Sequence, residues 1–410
     1  MKRIDGGVTA PMGFRASGVH GGIKRSGALD LSLVYSTVPA VAAGVFTVNR
    51  VKAAPVLVSE KKLKVPTAQA IIANSGNANC CTGEQGLADA AKMTECAAAA
   101  LGLSPDEVLV CSTGVIGRPM PMENICGAIP ALVQSLDTLG SEAAADGICT
   151  TDTYPKQSAV EFELGAKTVR IGGIAKGAGM IQPNMATMLC FLTTDASIRA
   201  DLCRKALAEA VEQTFNRITV DGDMSTNDTV FLLANEFAEN KTICTQGKDY
   251  KIFLEGLKAV CRDLARMMID DGEGGGRFLE VRIEGAKSAQ AARQAAYQIA
   301  NSPLVKTMVT GSNPNWGRIA ASVGSAGVDF NPNKLDIFLG HYHKGEVSES
   351  LTLVYEKGEP VEHTRKELKD CFKQDSLIVE VHLHAGKAGH WVWTTGLTEE
   401  YIQINTRYGS

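Results

Sequence analysis

Apolar runs rich in β-branched residues at 44–51, 68–73, 107–111, 168–174 and 188–194 alternate with alanine-rich amphipathic runs at 86–101, 122–132, 199–215 and 287–299. The first kind suits buried strands and the second the 3.6-residue period of a helix, so the alternation constrains the chain to an α/β fold. Its 41 glycines among 410 residues exceed the usual ~7%. They gather at strand–helix junctions, where backbone must turn tightly or approach a ligand, and a functional site is expected there. The length suits two or three domains or one large α/β unit. No internal repeat, heptad array or low-complexity tract is present. Around 331–334 and 345–359 the sequence changes to polar strands and turns, which predicts a smaller C-terminal lobe near 285–370.

Charge and composition exclude several function classes. A net charge of −4 argues against a nucleic-acid footprint, which needs a basic excess or a clustered Lys/Arg stripe. The densest basic run, Lys61-Lys62-Leu63-Lys64, reads as a solvated loop. No stretch approaches the roughly 18 apolar residues of a membrane span, and the N-terminus has neither signal-peptide nor transit-peptide character. A cytoplasmic protein is expected. The 11 cysteines contain no Cys-x-x-Cys pair and read as reduced, mostly buried thiols.

Metal and nucleotide sites are not indicated either. His341/His343 and His382/His384 each place two imidazoles on one strand face. No carboxylate or thiol sits at ligand spacing in the sequence, so both pairs read as strand-surface histidines without a metal. Asp221, Asp223 and Ser225 imitate the start of a calcium loop, but its sixth position is Thr226 rather than glycine and its twelfth is Leu232 rather than glutamate. Phosphate-binding and dinucleotide-binding glycine motifs are absent, as is Gly-x-Ser-x-Gly.

The segment 172–196 joins a glycine-hinged lysine loop to a threonine that opens an apolar strand. Thr187 is the candidate nucleophile. A threonine inside a chain lacks a base for its hydroxyl, but a cut before Thr187 would supply one as the new α-amino group. With a reference pKa of about 7.7–8.0, that amine is partly neutral at physiological pH. Ala186 puts little bulk around the carbonyl to be attacked, and Pro183-Asn184 supplies a turn able to hold that bond under strain. On spacing alone the commoner reading is a turn before a buried strand, with Thr187 a capping residue.

Resemblance reverses that reading. Lys176-Gly-Ala-Gly-Met-Ile-Gln-Pro-Asn-Met-Ala-Thr187-Met-Leu resembles the self-processing segment of the ornithine acetyltransferase family, also called glutamate N-acetyltransferase. Family-like blocks stand in order along the chain: Asn74-Ser-Gly-Asn-Ala-Asn79, Ser112-Thr-Gly-Val-Ile-Gly117, Thr150-Thr-Asp-Thr-Tyr-Pro-Lys156, Ile218-Thr-Val-Asp-Gly-Asp-Met-Ser-Thr-Asn-Asp228, Asp271-Gly-Glu-Gly274, Asn313-Pro-Asn-Trp-Gly-Arg318 and Tyr401-Ile-Gln-Ile-Asn405. The resemblance implies a layered sheet-and-helix sandwich distinct from doubly wound dinucleotide folds. It also implies cleavage between Ala186 and Thr187 into an alpha chain, 1–186, and a beta chain, 187–410, assembled as a heterotetramer of two copies of each.

The activity implied is transfer of acetyl from N2-acetylornithine to glutamate through an acetyl-threonine ester. No metal or other cofactor is required, and acetyl-coenzyme A as a second donor is left open. Thr113 and Gly114 are implied as the oxyanion-steadying pair, with Thr153, Lys176, Thr187, Glu273, Asn405 and Ser410 as substrate contacts. The chain departs from the family after Glu273, where Gly274-Gly-Gly-Arg277 replaces Gly-Ala-Thr and a basic residue, implying a more flexible loop or a different secondary contact. At the terminus Ser410 stands for the usual threonine and Arg407-Tyr-Gly for the commoner spacing residues. Met224 also replaces a common threonine. The competing expectations are an aminopeptidase or amidohydrolase with an N-terminal nucleophile, and an unprocessed binding protein.

Overall fold

The computed structural model describes residues 1–182, 188–342, 349–362, 368–369 and 372–407. Ala186, Thr187, His343 and Ser410 lie outside the described residues. Two compact units are present, Met1–Asn216 with Asp223–Met268, and Arg217–Gly222 with Ile269–Ser410.

The first unit carries strands β1 (Lys2–Ile4), β2 (Phe14–Val19), β3 (Leu31–Phe46), β4 (Thr67–Asn74), β5 (Val108–Ser112), β6 (Lys156–Leu164), β7 (Lys167–Lys176), β8 (Leu189–Thr194) and β9 (Thr229–Ala234). They pair in the order β1-β6-β7-β8-β9-β3-β4-β5, with β2 added on β3. Helices α1 (Ala54–Lys62), α2 (Gly83–Leu101), α3 (Met122–Gln134), α4 (Ser141–Ile148), α5 (Ala200–Glu212) and α6 (Lys248–Asp270) complete it.

Strand periodicity explains the layering. Along β4 and β5, Ile71, Ala73, Leu109 and Cys111 share a core with Ile174, Leu189, Phe191, Phe231 and Leu233 of β7, β8 and β9. The intervening residues Ala70, Ile72, Val108 and Val110 pack instead with Ala90, Met93 and Ala97 of α2 and with Ile125 and Ile129 of α3. Side chains two apart face the same way, so one face of these strands lines a core that α4 enters through Ala144, Ala145 and Ile148, and the other face of β4 and β5 is covered by α2 and α3. This is a layered α/β sandwich, as expected. Both faces being buried, the strands read as continuous apolar runs. Each fully buried Ile or Leu contributes roughly 1.5–3 kcal/mol relative to exposure.

Four expected strands and two expected helices fall within a residue or two of their structural ends, but 44–51 does not. Its strand is β3, which starts at Leu31 and stops at Phe46. Pro39 masks the N-terminal part in sequence, and it sits at the break in register between Tyr35 and Ala40, where a missing N–H is tolerated. The predicted helix 199–215 ends earlier, at Glu212.

The second unit has β10 (Phe278–Ala286), β11 (Asp336–Tyr342), β12 (Glu349–Glu356), β13 (Glu359–Pro360), β14 (Ser376–His382) and β15 (Ala388–Thr395), ordered β13-β12-β11-β14-β10-β15. Its helices include α7 (Ala289–Ala300), α8 (Pro303–Thr310), α9 (Trp316–Gly324) and a last helix, Glu399–Arg407. Ser288 starts α7 by accepting the Ala291 N–H, and Ser302, followed by Pro303, starts α8 by accepting that of Val305. Leu279, Val281, Ile283, Ile337, Leu339, Val379 and Val381 point to a core shared with Ala292, Ala295 and Ile299 of α7. The alternate residues Glu280, Arg282 and Glu380 form a polar network: Arg282 meets Glu280 at 2.5 Å and Glu380 at 3.3 Å, and the Trp393 indole N–H donates to Glu280 at 2.8 Å.

All ten described cysteines are free, with the Cys80 and Cys81 sulfurs 3.8 Å apart. Among the described residues, no helix is long and apolar enough to cross a membrane.

Candidate active site

The described residue next to the expected cleavage point is Met188, and its backbone is held from both sides. Its N–H donates to Asp228 Oδ1 at 3.0 Å, and its carbonyl accepts the Thr229 N–H at 3.1 Å. The Asp228 carboxyl is wholly buried. That burial raises its pKa well above the carboxylate range, against the Met188 N–H, the Thr47 hydroxyl, the Lys176 charge and the Ser225 hydroxyl, which lower it. Burial thus favours the neutral form of the acid that anchors the head of β8.

Asn227, one residue earlier, reaches the other way. Its Nδ2 donates to Ser112 O at 2.9 Å and to Ala78 O at 2.7 Å. Two consecutive side chains thus tie the residue before Thr113 to the residue after Thr187.

The oxyanion candidates occupy a turn fixed by backbone contacts. The Thr113 N–H donates to Asn74 O at 3.0 Å, Asn74 Nδ2 donates to Asn77 O at 2.9 Å, and the Asn79 N–H donates to Asn77 Oδ1 at 2.9 Å. Gly114 has φ +130°. A Cβ there would lie 2.5 Å from Asn77 N and closer still to the Gly76 carbonyl carbon, so only glycine fits. The blocks at 74–79 and 112–117, far apart in sequence, are one hydrogen-bonded structure, and Thr113 within it is buried.

Lys176 ends β7 opposite Leu189 of β8 and is buried rather than exposed in a loop. Its ammonium donates to Thr150 Oγ1 at 2.7 Å and stands 3.8 Å from Asp152 Oδ2. Asp152 also accepts from Lys156 Nζ at 2.7 Å and from the Gly177 N–H at 2.7 Å. Burial alone would raise the Asp152 pKa, but Lys176, Lys156 and the Gly177 N–H outweigh it and hold the carboxyl well below the usual range. Thr153, the next residue, is exposed.

In the second unit Glu273 is buried, and Asn405 Nδ2 donates to its Oε2 at 2.7 Å. Two of the glycines after Glu273, Gly274 and Gly276, serve close packing there. A Cβ on Gly274 would lie 2.6 Å from Tyr401 N, and one on Gly276 would lie 2.5 Å from Gly396 O, so bulk is excluded beside the last helix.

Sequence reading did not single out Asp152, Asn227 or Asp228, although all three lie in the blocks quoted above. Their signal is burial of polar groups, which a linear sequence does not display.

The sequence profile of the ArgJ family matches residues 15–410. The chain belongs to the ArgJ family. It is 45% identical over 410 residues, covering all of both chains, to the arginine biosynthesis bifunctional protein ArgJ of Symbiobacterium thermophilum. The protein of that name from Gloeobacter violaceus is 46% identical over 409 residues, 99% of this chain and 98% of its own. A solved ornithine acetyltransferase from Mycobacterium tuberculosis, complexed with ornithine, is 47% identical over 43% of this chain and 94% of its own, with a TM-score of 0.41. Family membership makes this chain an acyltransferase of arginine biosynthesis.

Proposed function

We propose that the chain cuts itself between Ala186 and Thr187 and then moves acetyl from N2-acetylornithine to glutamate. The Thr187 hydroxyl attacks the Ala186 carbonyl, and water hydrolyses the resulting ester, leaving fragments 1–186 and 187–410. The freed α-amine takes the hydroxyl proton as Thr187 attacks the acetyl group, and returns it to the departing ornithine amine. Attack by the glutamate amine on the acetyl-threonine ester then yields N-acetylglutamate, so kinetics are ping-pong. Thr113 and Gly114 steady the oxyanion. Thr153, Lys176, Glu273, Asn405 and Ser410 are assigned to the amino-acid substrates, with Glu273 toward an amino end.

The observation that supports this most is the Asn227–Asp228 clamp, which couples the oxyanion turn to the strand that Thr187 opens. It holds the residue after the nucleophile through a wholly buried side chain. The working enzyme is read as a cytoplasmic heterotetramer, two of each fragment, at twice the 43.4 kDa chain mass. Acetyl-coenzyme A as a further donor fits the bifunctional name of the relatives.

N-terminal sequencing of purified protein should read Thr-Met-Leu-Cys for one fragment. Thr187→Ala should run as one intact, inactive chain on a denaturing gel; division of that variant at the same bond would end the proposal. Repeated turnover of N-acetylornithine should require glutamate. Release of free acetate without it would point to a hydrolase.

A further inference from the structure

The histidines that looked like plain strand decoration have a carboxylate beside them. His382 ends β14, and His384, beyond the inward-facing Leu383, points to the same side. Asp336, the first residue of β11, is the registered partner of His382 across the antiparallel pair. One ligand atom from each of Asp336, His382 and His384 can be chosen so that all lie within 4.8 Å of one another. His384 Nε2 already meets Asp336 Oδ2 at 2.6 Å. The sequence conceals the group because Asp336 is brought in by strand pairing.

We propose that Asp336, His382 and His384 bind a divalent first-row transition-metal ion, with zinc the representative. Two imidazoles and a carboxylate are the donors that such borderline cations prefer over magnesium or calcium, which take oxygen ligands. Bonds of about 2.0–2.1 Å in tetrahedral geometry place ligand atoms roughly 3.3 Å apart. The site reaches this by opening the His384–Asp336 contact and drawing His382 inward. His384 is exposed and has room to turn.

The surroundings orient the ligands. The Lys357 N–H donates to Asp336 Oδ1 at 2.9 Å, which leaves Oδ2 facing the histidines. Glu380 Oε1 lies 2.8 Å from His382 Nε2, and Arg282 holds the other Glu380 oxygen at 3.3 Å. Glu380 is therefore the orienting carboxylate that metal-bound imidazoles commonly have. The His384 backbone, at φ +47°, is in the left-handed region, and this turn directs its ring back over the strand pair. Three protein ligands at a partly exposed position leave a fourth for water. The acetyl-transfer scheme uses no metal, so this ion joins β11 to β14 and stabilises the second unit.

Equilibrium dialysis of the full-length protein against ZnCl2, after alkylation of its thiols, tests the assignment. Wild type should retain one equivalent more than His382→Ala/His384→Ala, and zinc should raise the wild-type melting temperature but not that of the double variant. Asp336→Asn, which keeps an oxygen for the Lys357 N–H, should bind more than tenfold more weakly while its acetyl-transfer rate stays at the wild-type level. Equal retention by wild type and the double variant overturns the proposal, as does Asp336→Asn binding like wild type.

Discussion

Asp228 accepts the backbone N–H of Met188, so a buried carboxyl fixes the residue that follows the expected nucleophile. Because burial favours the uncharged form of this carboxyl and its Oδ1 is the acceptor used, the amide isostere should serve nearly as well. Asp228→Asn is expected to process and fold like wild type, within about 1 kcal/mol. Asp228→Ala leaves the Met188 N–H buried without an acceptor, at a cost of ~1–3 kcal/mol, and should accumulate uncut chain. Thermal melts and denaturing gels of both variants decide it. If alanine processes as fast as asparagine, the clamp has no part in cleavage.

Thr113 carries the second expectation. Loss of one oxyanion donor typically lowers kcat about 10²–10³-fold, and Thr113→Ala should do so with KM for N-acetylornithine little changed, whereas Thr113→Ser should retain most activity. A fall in kcat of only a few-fold for alanine would remove Thr113 from the oxyanion role.

How much of this was legible beforehand follows from the physics of each element. Strands such as β4, β5, β7 and β8 bury both faces, so unbroken apolar runs announced them, and α2 and α3 announced themselves by period. The proline in β3 hid its N-terminal half, because a strand tolerates proline only where the ladder is interrupted. Thr113 and Gly114 stood out only through the family resemblance of Ser112–Gly117, a bare Thr-Gly pair being usually just a turn. The Asp228–Met188 and Asn227–Ser112 contacts could not, since each joins residues 40 or more apart through strand order. Asp336 was missed for the same reason: pairing of β11 with β14 sets it beside His382.

Asp152 should be a stability determinant. Its side chain and that of Lys156 are fully buried and paired at 2.7 Å, with Lys176 close by. Asp152→Asn leaves two buried ammonium groups without their carboxylate, and breaking such a pair costs ~3–5 kcal/mol. The folded-state pKa of Asp152 is depressed. Its contribution is therefore fully present above the ordinary carboxylate pKa and is lost as pH falls toward the folded value. Denaturant titrations should show a wild-type advantage at neutral pH that shrinks in strong acid; a variant as stable as wild type at pH 7 contradicts the pairing.

His390 sets an acid limit on the second unit. Burial is the main reason its pKa falls from 6.5 to about 4, with Arg217 and Arg293 adding to the effect. The ring lies near Tyr297, at 6.1 Å between centroids, and the carboxylates facing the same cleft are Glu284 and Glu380. Between pH 6.5 and about 4 the unfolded chain binds a proton at this position that the folded chain does not. Stability must fall with pH across that window, and it must do so less when the imidazole is replaced by an apolar ring. His390→Phe should therefore gain on wild type steadily as melts are taken from pH 7 down to pH 4. A difference between the two proteins that stays constant over that range would mean His390 is protonated equally in both states, and the buried neutral imidazole would have to be abandoned.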